Sequence, residues 1–384
     1  MTPYLGVFLA TAGAVVAITP LVRWLAVKVG AIDRPSDRKV HPKPTPTLGG
    51  LGILVGVLVG LGVAYFFPEF RRLFRQTFEL QGTILAAVVV TGLGLLDDLR
   101  ALSAPAKAAG QILAAGVLIL TGVELLFFWF PTQGVISLGP DLAVPLTIVW
   151  VLLMVNAVNL IDGLDGLACG IVAIAAAAFF VWVYVEPSSF PESTRTAALL
   201  CSVAAGAAVG FLPYNFYPAR IFMGDAGAML LGLVLASATI AGVGRTLQPH
   251  SGDVAAFAIP VLIPVFVLAV PLIDVAMAVV RRLRRGRPVF APDKEHIHHQ
   301  LRQIGHTHRR AVVIMYYWAI LLAGSGLAVS FVNGRLIVGG ILVAALVLIA
   351  ASLVPSRLRE RRRLRRVGEA AKTLAEAEVD SKPA

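Results

Sequence analysis

No stretch of this 384-residue chain is polar enough for long enough to build a soluble domain of its own. Charge is scarce, with Asp, Glu, Lys and Arg making up 14% of residues. Apolar residues reach 58%, well above the roughly 45–50% of soluble domains. Cysteine is nearly missing: Cys169 and Cys201 both lie inside apolar runs, which excludes a disulfide framework and a cysteine metal knuckle. They read as small reduced core residues. No basic residue precedes the first apolar run, so that run is expected to stay as a helix and not to be cleaved as a signal peptide. No internal repeat is visible, and no nucleic acid is expected as a partner.

What the chain has in abundance is apolar runs long enough to cross a bilayer, about 20 residues each. The reading is an all-α polytopic membrane protein with eleven spans: Pro3–Val27, Leu48–Phe67, Gly82–Leu96, Ala108–Leu126, Ala143–Leu160, Leu167–Val185, Ala197–Leu212, Ala226–Val243, Val254–Val280, Ala311–Phe331 and Leu336–Val354. Pro260, Pro264 and Pro271 predict a kinked or broken ninth helix. Residues 1–355 are expected to form one transmembrane domain, and 356–384 a basic tail attracted to membrane lipids or solvated. Turn signals in 130–145 suggest a small hairpin. The segment holding Arg71, Arg72 and Arg75 is expected to lie flat at the membrane surface.

Net charge is +11, and its distribution gives the orientation. Of 33 Lys and Arg residues, 26 fall in loops after odd-numbered spans or in the tail, and 6 after even-numbered spans. By the positive-inside rule the N-terminus is outside and the C-terminus cytoplasmic.

The unusual polar clusters all follow odd-numbered spans. Asp97 and Asp98 end the third, Asn156–Gly166 (NAVNLIDGLDG) closes the fifth, and Asp225 in FMGDAG opens the eighth. Asp274 lies near the inner end of the ninth span, before His296, His298 and His299. An acid in a membrane helix costs roughly 2.5–3.5 kcal/mol at the centre on insertion scales, so such residues face water, a cation or a substrate. Asp162 and Asp165 are spaced i,i+3 and would share a face if the helix continued. The plain alternative is a polar turn capped by Gly163 and Gly166. Independent turns, however, have no reason to gather on one side. In a ring of carboxylates at least one pKa is expected to rise unless a cation neutralises them. Oxygen ligands suit Mg²⁺, with Mn²⁺ able to substitute. Lys43, Lys107, Arg220 and Lys294 suit phosphate oxygens, giving the layout of phosphoryl transfer between a soluble and a lipid substrate. His-x-His-His without a companion Cys is a poor zinc site. His41, His250, His306 and His308 read as surface residues.

DRPSDRKVHPKPTPTLGG (Asp33–Gly50), LLDDL, NAVNLIDGLDGLA, NFYPARIFMGDAG, PLID and HIHHQL occur in this order over about two-thirds of the chain. Together they resemble the polyprenyl-phosphate N-acetylhexosamine-1-phosphate transferases, the WecA/TagO-like enzymes and, more distantly, MraY. The resemblance implies transfer of a sugar-1-phosphate from a UDP-N-acetylhexosamine to a polyprenyl phosphate such as undecaprenyl phosphate, with Mg²⁺ and release of UMP. It implies Asp97, Asp98 and Asp162 as catalytic residues and Asp225 with Asp98 as metal ligands. It places Lys43, Lys107, Asn156, Asn159, Gly163, Leu164, Asp165, Asn215, Phe222, His296, His298 and His299 at substrate. Ile297 interrupts the histidine run and Asp274 stands in PLID, both closer to the hexosamine branch than to MraY. An MraY-like pentapeptide transferase, a secondary transporter and a non-catalytic scaffold remain as alternatives, and a homodimer stays open.

Overall fold

The computed structural model describes residues 1–35, 43–130, 134–185, 191–243, 280, 282–284, 286, 306–331, 340–341 and 343–349. With no water in a bilayer core, each apolar run must satisfy its backbone internally, and helices do so. They are α1 (Thr2–Lys28), α2 (Gly49–Phe66), α3 (Pro68–Gln76), α4 (Glu79–Arg100), α5 (Ala104–Leu120), α6 (Pro140–Ile161), α7 (Leu167–Val185), α8 (Pro191–Asn215), α9 (Gly224–Val243) and α10 (His308–Phe331). Eight of them are long and apolar enough to cross a membrane, while α5 is a shorter apolar helix. The chain is a polytopic helical membrane protein. The expected ninth span, most of the eleventh, Asp274, the histidines at 296, 298 and 299, and the tail lie outside the described residues.

Helix ends depart from hydropathy where polar residues extend a helix. The third span, expected over Gly82–Leu96, runs from Glu79 to Arg100 and carries Asp97 and Asp98 on its last turn. It stops at Ala101, which takes a left-handed φ of 49° while its N–H donates to the Asp97 carbonyl. The fourth starts at Ala104, with a proline in its first turn, so Lys107 lies within the helix and not before it.

Two short antiparallel pairs join the helices. β1 (Ile32–Asp33) pairs with β2 (Thr45–Pro46), closing the loop between α1 and α2. β3 (Phe127–Phe130) pairs with β4 (Gly134–Ser137). This is the expected hairpin, begun earlier because FFWF is apolar enough to blur into the preceding span. α3 is amphipathic, with Phe70 and Leu73 buried and Arg71, Arg72 and Arg75 exposed.

α9 is the hub, packed against α2, α4, α6 and α8. Its most apolar stretch is 89% buried within the protein, against 28% for α1 at the periphery. The abundance of Gly, Ala and Ser in GDAGAMLLGLVLASATIAGV lets four neighbours approach its backbone. The N-terminus of this buried helix is where the polar clusters meet.

Candidate active site

The polar motifs come together because the helices alternate in direction. The last turns of α4, α6 and α8 and the first turns of α2, α5, α7, α9 and α10 meet at one end of the bundle, as the bonds between them show. Backbone pairing holds the approach of the first motif: Gly49 N–H donates to the Phe222 carbonyl at 3.0 Å, Gly50 N–H to Met223 at 2.8 Å, and Phe222 N–H to Pro46 at 2.9 Å. Gly50 and Gly94 sit directly against Ala226 from two sides, where a Cβ on either would collide with the α9 backbone. Residue type at both positions thus sets how closely α2 and α4 can flank Asp225.

At the centre, Lys107 of α5 bridges two carboxylates. Its ammonium pairs with Asp97 Oδ2 and with Asp225 Oδ2, the latter at 2.6 Å. Asn159 Nδ2 donates to Asp225 Oδ1 at 2.9 Å. The Leu102 N–H donates to Asp97 Oδ1 at 2.6 Å. Asp98 is turned differently. Its Oδ1 accepts the Asp225 N–H at 2.9 Å and its Oδ2 the Ala226 N–H at 3.3 Å. It therefore supplies, from α4, the capping carboxylate that the first turn of α9 lacks. Gly224, at φ 68°, makes the turn and leaves room for that carboxylate.

The NLIDGLDG turn does not keep its two aspartates on one face. α6 ends at Ile161, Asp162 is its C-cap, and Gly166 takes a left-handed φ of 81°. Asp162 is left among Asp225, Asp98 and Asp165. Burial, reinforced by those three charges in that order, pushes its carboxyl well above the usual carboxylate range. Asp165 faces the other way, accepting the Ala219 N–H at 2.9 Å with His308 Nε2 at 3.8 Å. Asn215, 1% exposed, accepts the Gly166 N–H at 3.0 Å and donates to the Ile221 carbonyl at 3.2 Å. It ties the turn to the α8–α9 connection. Leu164 is buried, Gly163 exposed, Phe222 half-buried and Lys43 exposed. The exposed Asn156 exchanges amide hydrogen bonds with the buried Gln111, its Nδ2 reaching Gln111 Oε1 at 2.7 Å.

Two expectations need correction. His306 is buried, and the His308 imidazole, stacked on Tyr217 at 4.4 Å beside Asp165, is not a surface group. Three contributors escaped the sequence reading altogether. The Tyr316 hydroxyl donates to the Gly166 carbonyl, Arg309 Nε to the Tyr217 carbonyl at 3.3 Å, and Gln111 pairs with Asn156. An amide within the apolar run of α5 was a legible signal for Gln111. Nothing local marks Tyr316, which meets Gly166 150 residues away in sequence.

Among the described residues no three His, Cys, Asp or Glu side chains assemble a ready-made metal site. Mg²⁺ does not need one, since it usually takes one or two carboxylates with substrate phosphates and water. Asp97 and Asp225, held on one ammonium, fit such a site.

Convergent carboxylates, a bridging lysine and amide donors at one end of a membrane bundle are the side chains that phosphoryl transfer uses. Residues 80–243, which span α4 to α9, match the model of glycosyl transferase family 4. The decaprenyl-phosphate N-acetylglucosaminephosphotransferase of Mycobacterium leprae is 40% identical over 349 residues, 89% of this chain and 87% of that protein. A probable undecaprenyl-phosphate N-acetylglucosaminyl 1-phosphate transferase of Bacillus subtilis is 36% identical over 325 residues, 84% of each chain. The undecaprenyl-phosphate alpha-N-acetylglucosaminyl 1-phosphate transferase of Escherichia coli is 28% identical over 318 residues, 80% of this chain and 79% of that protein. This chain belongs to glycosyl transferase family 4, the glycosyl-1-phosphate transferases of membranes.

Proposed function

We propose that the protein transfers N-acetylglucosamine-1-phosphate from UDP-N-acetylglucosamine to a polyprenyl phosphate, releasing UMP and starting a cell-envelope glycan. The observation that carries this reading is the Asp97–Lys107–Asp225 bridge, made by three helices and braced by Asn159. An oxygen of the polyprenyl phosphate attacks the phosphorus that bears the sugar. The new diphosphate bond forms as the bond to UMP breaks, and UMP leaves with its electron pair. Asp97 orients the attacking phosphate and takes up its proton where it carries one. Lys107, able to leave either carboxylate, offers its ammonium to the diphosphate oxygens.

The bound Mg²⁺ would supply positive charge against the diphosphate and the leaving UMP. Asp225 would hold it with Asp97. Asp98, whose oxygens serve the α9 amides, is reassigned from metal ligand to positioning residue. Asp162, whose carboxyl is pushed upward by burial and by the charges of Asp225, Asp98 and Asp165, would stand toward the substrate beside them. Asp165 and Asn215 shape the wall that Gly163, Leu164 and Phe222 complete for the nucleoside. Lys43 and Asn156, with the histidines at 296, 298 and 299 that lie outside the described residues, are assigned to substrate on the family resemblance alone.

The test is transfer of labelled sugar-phosphate to extractable lipid by the purified protein with undecaprenyl or decaprenyl phosphate and Mg²⁺. Product is expected from UDP-N-acetylglucosamine and none from UDP-N-acetylmuramyl-pentapeptide. Efficient use of the pentapeptide donor would overturn the assignment of the sugar. Absence of lipid-linked product from every donor would favour a transporter.

We further place the site end of the bundle in the cytoplasm of the inner membrane, with eleven spans in all, on the strength of the 26-to-6 charge asymmetry. α9 leaves the site end while α10 begins there, beside Asp165, which supports an odd number of crossings between them. With both native cysteines buried, a thiol at Ser103 is expected to react only from the cytoplasmic side and one at Ser137 only from outside. Outside labelling at Ser103 would reverse the orientation.

A further inference from the structure

Among the described residues, α3 is the basic segment that joins the ends of α2 and α4 lying away from the catalytic centre. Its apolar side is committed to the protein. Phe70 is fully buried, edge-on to Tyr4 at 4.9 Å, Leu73 is buried, and Phe74 packs edge-on to Tyr65 at 5.6 Å. At 100° per residue, Arg71, Arg72 and Arg75 occupy the arc opposite Phe70 and Leu73. All three are exposed, and none of their guanidinium groups makes a hydrogen bond or ion pair among the described residues. The one exposed acid on the helix is Glu69. The last carbonyls of α3 are served by Thr77 Oγ1 and Gln81 Nε2, so the arginines are not required to cap it.

Depth is set by aromatic residues. Phe66, which ends α2, is 75% exposed, and Phe78, which precedes α4, is 74% exposed. Phe66 and Phe78 have no polar edge and turn toward the acyl chains, while Tyr65 beside Phe66, 42% exposed, carries the amphipathic ring that marks the boundary with the headgroups. A helix strung between the two phenylalanines presents its outward face at the headgroup level. Three unpaired guanidiniums there match the planar oxygens of a phosphodiester, which arginine binds through paired hydrogen bonds. The sequence carries these charges against the bias that elsewhere keeps Lys and Arg on the other side of the membrane.

We propose that the exposed face of α3 is a binding surface for the headgroups of anionic diacyl phospholipids, anchoring the far end of the α2–α4 hairpin at the membrane surface. The occupant is a phospholipid and not the polyprenyl phosphate, because the surface lies at the end of the bundle away from the Asp97–Asp225 centre.

The test uses the full-length protein. Cys169 and Cys201 are both buried, so Gln76→Cys provides one accessible thiol beside the arginines for a fluorophore. The labelled protein is placed in phosphatidylcholine nanodiscs carrying a minor fraction of headgroup-quencher phosphatidylglycerol or of headgroup-quencher phosphatidylcholine. Quenching by the anionic lipid is expected to exceed that by the zwitterionic one by on the order of tenfold at low salt, and to decline as salt is added. The preference is expected to fall to parity in R71Q/R72Q/R75Q and stepwise in the three single variants, with phosphatidylcholine quenching and lipid-linked product formation unchanged. Parity in the unsubstituted protein, or a preference that survives the triple substitution, overturns the proposal. Displacement of the quencher lipid by stoichiometric undecaprenyl phosphate overturns the choice of a phospholipid.

Discussion

Asp225→Asn is expected to lower turnover by on the order of a thousandfold while leaving the protein folded. The substitution keeps the size of the side chain and removes its charge, at the position where two helices and a lysine bring opposite charges together. An amide has one oxygen and no net charge, so it holds Mg²⁺ poorly and no longer balances the Lys107 ammonium. The first turn of α9 does not unravel, because Asp98 grips the backbone N–H groups of Asp225 and Ala226 and not the side chain that is changed. Asn159 loses only the charge of its acceptor. Single-turnover transfer of labelled sugar-phosphate, measured beside thermal unfolding in detergent, separates the two effects. A variant within tenfold of the original rate across a Mg²⁺ titration would remove Asp225 from the chemistry.

Asp98→Ala should fail in a different way, losing stability and activity together. Two N–H donors at the start of a buried helix would lose their acceptor, each orphan costing about 1–3 kcal/mol. Partial relaxation brings the expected loss to about 2–4 kcal/mol, accompanied by displacement of Asp225 and a fall in turnover of at least a hundredfold. Asp98→Asn keeps one acceptor oxygen and is expected to recover roughly half of the stability. Its activity should follow its stability, as befits a residue that acts by holding Asp225. Asp98→Ala with unchanged unfolding and abolished turnover would mean that this carboxylate touches metal or substrate directly.

Much of the site was legible because its parts are dense and one-sided. NLIDGLDG, LLDDL and FMGDAG stand out as acids at the ends of apolar runs, and the parity of those runs places them together without any knowledge of packing. The role of Asp98 was not legible, since its neighbour Asp97 is chemically identical. One helical step of about 100° turns one carboxyl toward Lys107 and the other toward the α9 amides. Asp162 and Asp165 illustrate the same point. Their spacing suggests a shared face, but α6 stops at Ile161, before both of them, and the turn that runs on to the left-handed Gly166 leaves Asp162 beside Asp225 and Asp98 while Asp165 accepts the Ala219 N–H. The α10 residues were hidden for another reason: His308, Arg309 and Tyr316 act through contacts with segments about a hundred or more residues away.

By itself the amino-acid sequence determined that the chain is a polytopic helical membrane protein of this transferase family, with the aspartates of its motifs on one side. Hydropathy and alternation are local, additive properties that survive without coordinates. Tertiary structure alone decided which polar group faces which. Lys107 meets Asp225 across 118 residues and Asn159 meets it across 66. That meeting depends on the distance between α5, α6 and α9, which small residues set: Gly232 of α9 lies against the backbone of Met154 and Val155 of α6, and Gly110 of α5 against Leu93 of α4, the helix that Gly94 holds against α9.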